Sequence, residues 1–360
     1  MDIEIISSGT IKTDGSYHGW PSVAVTNDGK LLAAASGNRE CHICPMGRVR
    51  LYTSSDFGNS WDEGMQLSTG PLDDRDAGLC AAQNNVVLLS YFTSTYALMT
   101  PKESDPPHWN ALRDSISVST INKEHGFWML RSHDNGKTWS EKYPVPVNNP
   151  HGPSLLSSGD LFFAGVEISN SPATQSNGAR SSGKPVGAVS RDNGETWQII
   201  SDIPTPPGQE KSKLLELHSV EAPDGRIIVH IRNHNTTPAS TWQTQSADGG
   251  VSWSQPRFIC NGFPSHLAKL SGSRLIMSYS RRESGCGVRA RISSDSGENW
   301  SQEITLYDQG ICRDLGYPST VELPDGSLFT LWYENITGKE AGFSVHTPSK
   351  AVLKYLRWKL

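Results

Sequence analysis

Arginines, acids, histidines and one tyrosine recur where apolar stretches of this chain begin or end. The beginnings carry His18 and Trp20, Asp74-Arg75-Asp76, His151, Glu216 and His218, Ser265 and His266, and Tyr317. The ends carry Arg39-Glu40-Cys41-His42, Glu167, Arg232, Arg281-Arg282 and Glu334. An arginine fork binds a carboxylate through two parallel hydrogen bonds. Several forks beside acids, imidazoles and a phenol describe a site for an anionic, polyhydroxylated ligand. Single members also have plainer readings. Tyr317 can be a strand-end aromatic packed on its neighbour, and Asp74-Arg75-Asp76 a self-satisfied ion-pair turn. His151 and His218 can be ordinary hydrogen-bonded histidines.

These residues meet only if the elements carrying them surround one axis, and a repeat supplies that arrangement. The pattern Ser-x-Asp-x-Gly-x-x-Trp occurs at 54–61, 132–139, 190–197, 246–253 and 293–300. Asp followed two residues later by Gly is turn chemistry. The carboxylate caps local N–H groups and Gly takes a positive φ. Alternating apolar residues precede each copy, as in Gly187-Ala-Val-Ser190, which reads as a strand entering a hairpin. The Trp leaves the turn and packs into the layer between sheets.

Around each hairpin lie two further apolar strands joined by a turn, such as Asn27-Asp-Gly29, Pro223-Asp-Gly225 or Pro324-Asp-Gly326. Six such units follow one another. Units too small to bury a core alone must stack, and radial stacking predicts an all-β, six-bladed β-propeller of four-stranded antiparallel blades. The whole of 1–360 is expected to form one domain. The sixth unit has no Ser-x-Asp box. Its third strand is expected within 350–360, and 3–11 is a free strand expected to pair there. Closing the ring with both chain ends removes exposed edges. Two long insertions interrupt the pattern. The one at 93–122 is expected to form a wall or lid over the axis, and the one at 167–184 a flexible flap.

Composition sets outer limits. A net charge of -5 over 360 residues argues against a nucleic-acid surface. No apolar run is long enough to span a membrane, so no membrane partner is expected. The start of the chain is too polar for a signal peptide. That points to the cytoplasm as written, or to secretion if a leader was removed. Cys41-His-Ile-Cys44 is a lone CxxC with no second pair to complete a zinc site. The six cysteines are expected as free buried thiols, with no metal and no cofactor.

The five boxes on six β units resemble the sialidase (neuraminidase) superfamily of BNR-repeat proteins over nearly the whole chain. Box repeats carry the fold and not the activity, so the site residues are the sharper comparison. The family places a Glu-x-x-x-x-Glu stretch at the start of its fourth unit, then an apolar strand ending in Arg-Asn or Arg-Ser. Glu216-Leu-His-Ser-Val-Glu221 and His230-Ile-Arg232-Asn233 are similar. Glu221 is expected to be structural. A second family arginine precedes the fifth box, as Arg282 or its neighbour Arg281 does. The family tyrosine follows that box, as Tyr317 does in Asp314-Leu-Gly-Tyr317-Pro-Ser.

The resemblance implies an exo-acting, retaining glycoside hydrolase that releases a terminal sialic acid or related acidic sugar from a sialoglycan. Tyr317 is the implied nucleophile and Glu216 its base. Sialidases are among the tyrosine-nucleophile exceptions to two-carboxylate glycosidases. The sugar's own carboxylate sits on the anomeric carbon and repels a carboxylate nucleophile. A free phenol titrates near ~10 and needs such a base. Arg232, Arg282, Arg281, Arg75, Arg39, His18, His151 and His218 are the expected substrate-binding set.

The departures point to a divergent branch. The family opens its first unit with Tyr-Arg-Ile-Pro, whereas this chain reads Tyr17-His18-Gly19-Trp20-Pro21 and lacks that arginine. Arg39 or Arg75 is expected to fill the vacancy. The family acid is an Asp in the loop before the first box, and 38–45 holds none. His42 or Glu40 is then the candidate acid, with Asp74 and Asp76 as further candidates. Two other functions fit the same residues. One is a glycosidase or lyase on another acidic (uronic acid) glycan, using histidines for proton transfer. The other is a carbohydrate-binding propeller without catalysis.

Overall fold

The computed structural model describes residues 3–11, 13–103, 105–167, 183–283, 285–337 and 345–360. Six antiparallel sheets follow one another as the blades of a propeller, each with its earliest strand innermost, except in blade 6. Blade 1 runs Tyr17–Val25, Leu31–Arg39, Arg48–Ser54 and Met65–Gln66. Blade 2 begins with Asp73–Ala81, blade 4 with Leu214–Glu221 and blade 5 with Ser265–Leu270. Blade 3 opens less regularly, through the short strands Val147–Asn148 and Ser154–Leu155. Blade 6 comprises Leu315–Glu322, Leu328–Asn335 and Ala351–Lys359, with Glu4–Ile11 as its outermost strand. Gly9 lies opposite Tyr355 in that closing ladder. The ring is closed by its two chain ends, as the sequence predicts.

The core is not one mass but a layer between each pair of blades. Leu88 and Met129 of blade 2 meet Phe163 and Ala188 of blade 3, for example. The boxes fasten these layers. In the third, Ser190 Oγ accepts the Gly194 N–H at 2.8 Å and donates to Asp192 Oδ1 at 2.7 Å. Asp192 Oδ1 also accepts the Thr196 N–H at 2.9 Å. Gly194 has φ 89° and faces the preceding blade so closely that a Cβ would stand 2.6 Å from Leu88 Cδ2. Trp197 packs into the same layer.

A second regularity has no counterpart in the motif. In blades 1, 2, 4 and 6 the innermost ladder breaks at one level, between Gly19 and Ser22, Arg75 and Gly78, Leu215 and His218, and Gly316 and Ser319. The first residue inside each break has a positive φ: Trp20 53°, Asp76 54°, Glu216 45° and Tyr317 51°. None is glycine, so each break stores roughly 1–3 kcal/mol of backbone strain. Such a bulge re-aims a side chain at a sheet end, and all four side chains line one axial pocket.

The insertion in blade 2 forms three short helices, Tyr96–Met99, Pro107–Ser115 and Val118–Glu124. Trp109 is buried against Cys41 and Cys44. The expected flap over 167–184 lies almost entirely outside the described residues. All six cysteines are buried. Among the described residues no helix is long and apolar enough to cross a membrane.

Candidate active site

The axial pocket has a volume of about 370 Å³. Its floor and one side are polar: Trp20, His42, Arg75, Asp76, Asn148, Asn149, Glu216 and Tyr317. The opposite wall is apolar, with Phe92, Phe127, Val166 and Leu215. Tyr96 of the insertion completes the rim, so that insertion does form a wall.

Tyr317 and Glu216 come from blades 6 and 4 and meet across the axis. The Tyr317 hydroxyl donates to Glu216 Oε1 at 2.5 Å. Arg232 Nη1 donates to Glu216 Oε2 and, at 3.2 Å, to the Tyr317 hydroxyl oxygen. Burial alone would raise the Glu216 pKa, but the Arg232 charge and the Tyr317 hydrogen bond outweigh it and hold the carboxyl below its ordinary range. Burial and the Glu216 charge push the Tyr317 phenol well above its own. The resting pair is therefore a neutral phenol on an ionised acceptor.

Two guanidinium groups rest on one ring. Arg232 Cζ lies 4.4 Å and Arg282 Cζ 5.3 Å from the centre of Phe263. Arg232 Nε, Arg282 Nε and Arg282 Nη2 are buried without a hydrogen-bond partner. Orphaned charged donors are costly, and a ligand carboxylate is the group that would satisfy them.

On the other side, Arg75 Cζ lies over the Trp20 ring, 3.9 Å from its centre. Beside it burial lifts the Asp76 pKa from 3.8 to about 7, Arg75 opposing and Glu216 reinforcing the rise. Asp76 Oδ1 is buried and unpartnered. His42 stands edge-on to Trp20 at 4.9 Å, and its Nδ1 is 2.8 Å from Asp314 Oδ1.

The structure thus brings together Tyr317, Glu216, Asp76, His42, Arg75, Arg232 and Arg282. It does not bring the remaining expected residues to the pocket. Arg39 is wholly buried in an ion pair with Asp73 and braces the loop by donating to the His42 carbonyl at 2.9 Å. Arg281 is exposed and reaches Glu303 at 3.3 Å, because it ends its strand on the face opposite to Arg282. His18 is buried beside Tyr52, 2.9 Å from its hydroxyl. His218 stacks on His266 at 4.5 Å and His151 stands edge-on to both at 5.1 Å, all three buried. Glu40 accepts from His108 and Trp109 of the insertion at 2.8 and 3.0 Å, and Asp74 accepts from Thr93 at 2.7 Å. Glu221 accepts from Ser157 and is structural. Among the described residues no cluster of three or more His, Cys, Asp or Glu is arranged to hold a metal ion. Sequence reasoning missed Asp314 and Phe263. Asp314 sits three residues before Tyr317, which was the available signal; Phe263 gave none.

Fold and pocket together define a six-bladed propeller with an axial, arginine-bearing site. The chain belongs to the family described as BNR repeat-like domain, which matches residues 84–330. A curated sialidase from Paraclostridium sordellii is 24% identical over 259 residues, a match covering 67% of this chain and 58% of that relative's length. A crystal structure of a protein of unknown function from Dyadobacter fermentans superposes with TM-score 0.78 at 18% identity, covering 99% of both chains. A mutant of the NanB sialidase from Streptococcus pneumoniae superposes with TM-score 0.68 at 14% identity, covering 99% of this chain and 70% of that one. These structural likenesses are of fold.

Proposed function

We propose that this protein is an exo-acting glycosidase that removes a terminal acidic sugar by a retaining double displacement. The substrate class is a sialic acid or a related nonulosonic or uronic acid. The observation that carries this reading is the Tyr317–Glu216–Arg232 chain, a phenol bonded to an ionised carboxylate that a guanidinium holds in place. A nucleophile and its base within hydrogen-bond reach is the arrangement covalent catalysis needs. A phenol is also the nucleophile suited to an anomeric carbon that bears a carboxylate. Arg232 and Arg282, with unmet donors, would hold that carboxylate.

Trp20 favours the broader substrate class. The innermost strand of blade 1 sends no arginine to the pocket, and Trp20 with Arg75 over its ring occupies that side. The test is a screen of fluorogenic sialic acid and uronic acid glycosides, with the wild type and Tyr317→Phe side by side. Turnover of at least one acidic glycoside, lost in the variant, is expected. An unsaturated product absorbing in the ultraviolet would instead make the protein a lyase. Saturable binding without turnover would make it a lectin-like propeller.

A further inference from the structure

One carboxylate in this molecule is held with unusual completeness, and the proposed nucleophilic chain makes no use of it. Asp314 is 3% exposed. Tyr17 donates its hydroxyl to both carboxylate oxygens at 2.9 and 2.8 Å. Tyr333 donates to Oδ1 at 2.9 Å and Asn335 Nδ2 to Oδ2 at 3.0 Å. The remaining partner is His42 Nδ1, at 2.8 Å. A buried carboxylate surrounded by donors stays ionised, and such an acceptor fixes an imidazole as its Nδ1–H tautomer. The other ring nitrogen, Nε2, has no protein partner among the described residues, and the ring lines the pocket.

The loop that carries His42 is braced on every side. Arg39 Nη2 and Arg75 Nη1 donate to the His42 carbonyl at 2.9 and 3.2 Å, and the Ile43 N–H donates to the Val345 carbonyl at 2.8 Å. The Trp20 ring lies perpendicular to the imidazole at 4.9 Å. An imidazole with one nitrogen on a buried carboxylate and the other open to a pocket is built for proton transfer. Asp76 shares the pocket with its Oδ1 buried and unpartnered.

We propose that His42 is the acid and base that acts on the leaving group and on water, and that Asp314 is the positioning residue that aims it. This rests on the glycosidase reading above. In the first step the Tyr317 oxygen bonds to the anomeric carbon and its proton passes to Glu216. The electron pair of the glycosidic bond moves to the departing oxygen, which takes the proton from His42 Nε2. In the second step neutral His42 takes a proton from water as the water oxygen attacks the anomeric carbon. The electron pair of the tyrosyl bond returns to the Tyr317 oxygen, which recovers its proton from Glu216.

The groups facing His42 set the pH behaviour. Burial lowers its pKa, Asp314 raises it by charge and hydrogen bond, and Arg75 and Arg39 lower it further, to a net value below the ordinary one. Tyr17, 3.2 Å from Nδ1, is neutral, its phenol lifted by burial. An acid of this kind is lost as pH rises through its pKa, so turnover of substrates with poor leaving groups is expected to peak on the acidic side.

Two measurements on the full chain decide the matter. The first compares kcat/KM for an alkyl glycoside and an activated aryl glycoside of the acidic sugar. His42→Gln is expected to lose ~10²–10⁴-fold on the alkyl substrate and far less on the aryl one. Equal losses on both overturn the acid role while leaving the glycosidase reading intact. Should the wild type turn over neither substrate, that reading fails. The second measurement, imidazole NMR, is independent of activity, with His42→Gln assigning the signal. The wild type is expected to carry its proton on Nδ1, and Asp314→Asn to lower the His42 pKa by ~1 unit or more. Should that variant not fold, Tyr333→Phe removes one donor from Asp314 and is expected to raise the His42 pKa. An unprotonated Nδ1, or a pKa indifferent to these changes, overturns the dyad.

Discussion

The Tyr317 hydroxyl and the Glu216 carboxylate meet at 2.5 Å although 101 residues separate them in sequence, and both stand on strained, positive-φ backbone. Two bulges in two blades spend conformational energy to make one contact. Glu216→Gln keeps the shape but removes the acceptor charge. It is expected to lower kcat on an acidic glycoside by ~10²–10⁴-fold, with Tyr317→Phe at least as severe. Tyr317→Phe should keep the wild-type unfolding midpoint to within a few degrees, whereas Glu216→Gln, which leaves the buried Arg232 guanidinium without its counter-charge, is expected to lower it. Undiminished kcat in Glu216→Gln would remove the base from the mechanism.

Arg232 is the partner that keeps Glu216 ionised, so its removal is read in stability as well as in rate. Arg232→Met leaves the Glu216 carboxylate with Tyr317 as a hydrogen-bond partner but without its counter-charge, which is expected to cost about 1–3 kcal/mol at neutral pH. Glu216 has a depressed pKa in the folded chain. Its favourable contribution is therefore present above its unfolded pKa of ~4.3 and is lost as pH falls through the folded value. Chemical denaturation across pH should show the gap between variant and wild type narrowing below pH ~4. A gap independent of pH would mean that Arg232 acts by packing alone.

Asp76 gives the opposite sign. Its pKa rises from 3.8 to about 7 on folding. The stability it contributes is full below the unfolded value and is lost as pH rises toward and through about 7. Asp76→Asn should flatten the stability profile between those limits, a change of up to about 1.4 kcal/mol per pH unit. Superimposable profiles of variant and wild type would show that Asp76 does not take up a proton on folding.

The boxes make a purely structural prediction. Gly194→Ala places a Cβ 2.6 Å from Leu88 Cδ2 on left-handed backbone. Gly208→Ala suffers the same kind of backbone strain, φ 74°, with nothing within 4 Å. The control should lose ~1–2 kcal/mol, and Gly194→Ala a further ~1–3 kcal/mol from overpacking. Equal losses in the two would mean that box glycines serve the turn and not the seam between blades.

Much of the frame was legible in the sequence because its signals are local. A Ser, an Asp and a Gly within five residues make one turn by themselves, and five copies count the blades. The ring closure was legible because 3–11 alternates like a strand and has no neighbour of its own to pair with. The site was legible only in part. Arg281 and Arg282 are adjacent, and a one-residue difference in strand parity sends one to Glu303 and the other to Phe263. The positive φ at Trp20, Asp76, Glu216 and Tyr317 carries no residue signature, since none is Gly or Asn. Asp314 reads as an ordinary loop acid until Tyr17, His42 and Tyr333 converge on it. Arg289, on the third strand of blade 5, is likewise buried, held by Glu303 and the Tyr307 carbonyl.

The closing ladder of blade 6 bears on how the pocket is completed. The tyrosine of the pocket stands in a sheet whose outermost strand is residues 4–11 and whose neighbour to that strand is residues 351–359. A chain without residues 351–360 keeps every strand of the sheet that carries Glu216 and Arg232, yet lacks the strand that joins residues 4–11 to the sheet of Tyr317. Removal of residues 351–360 is therefore expected to leave the Tyr317–Glu216 contact unmade.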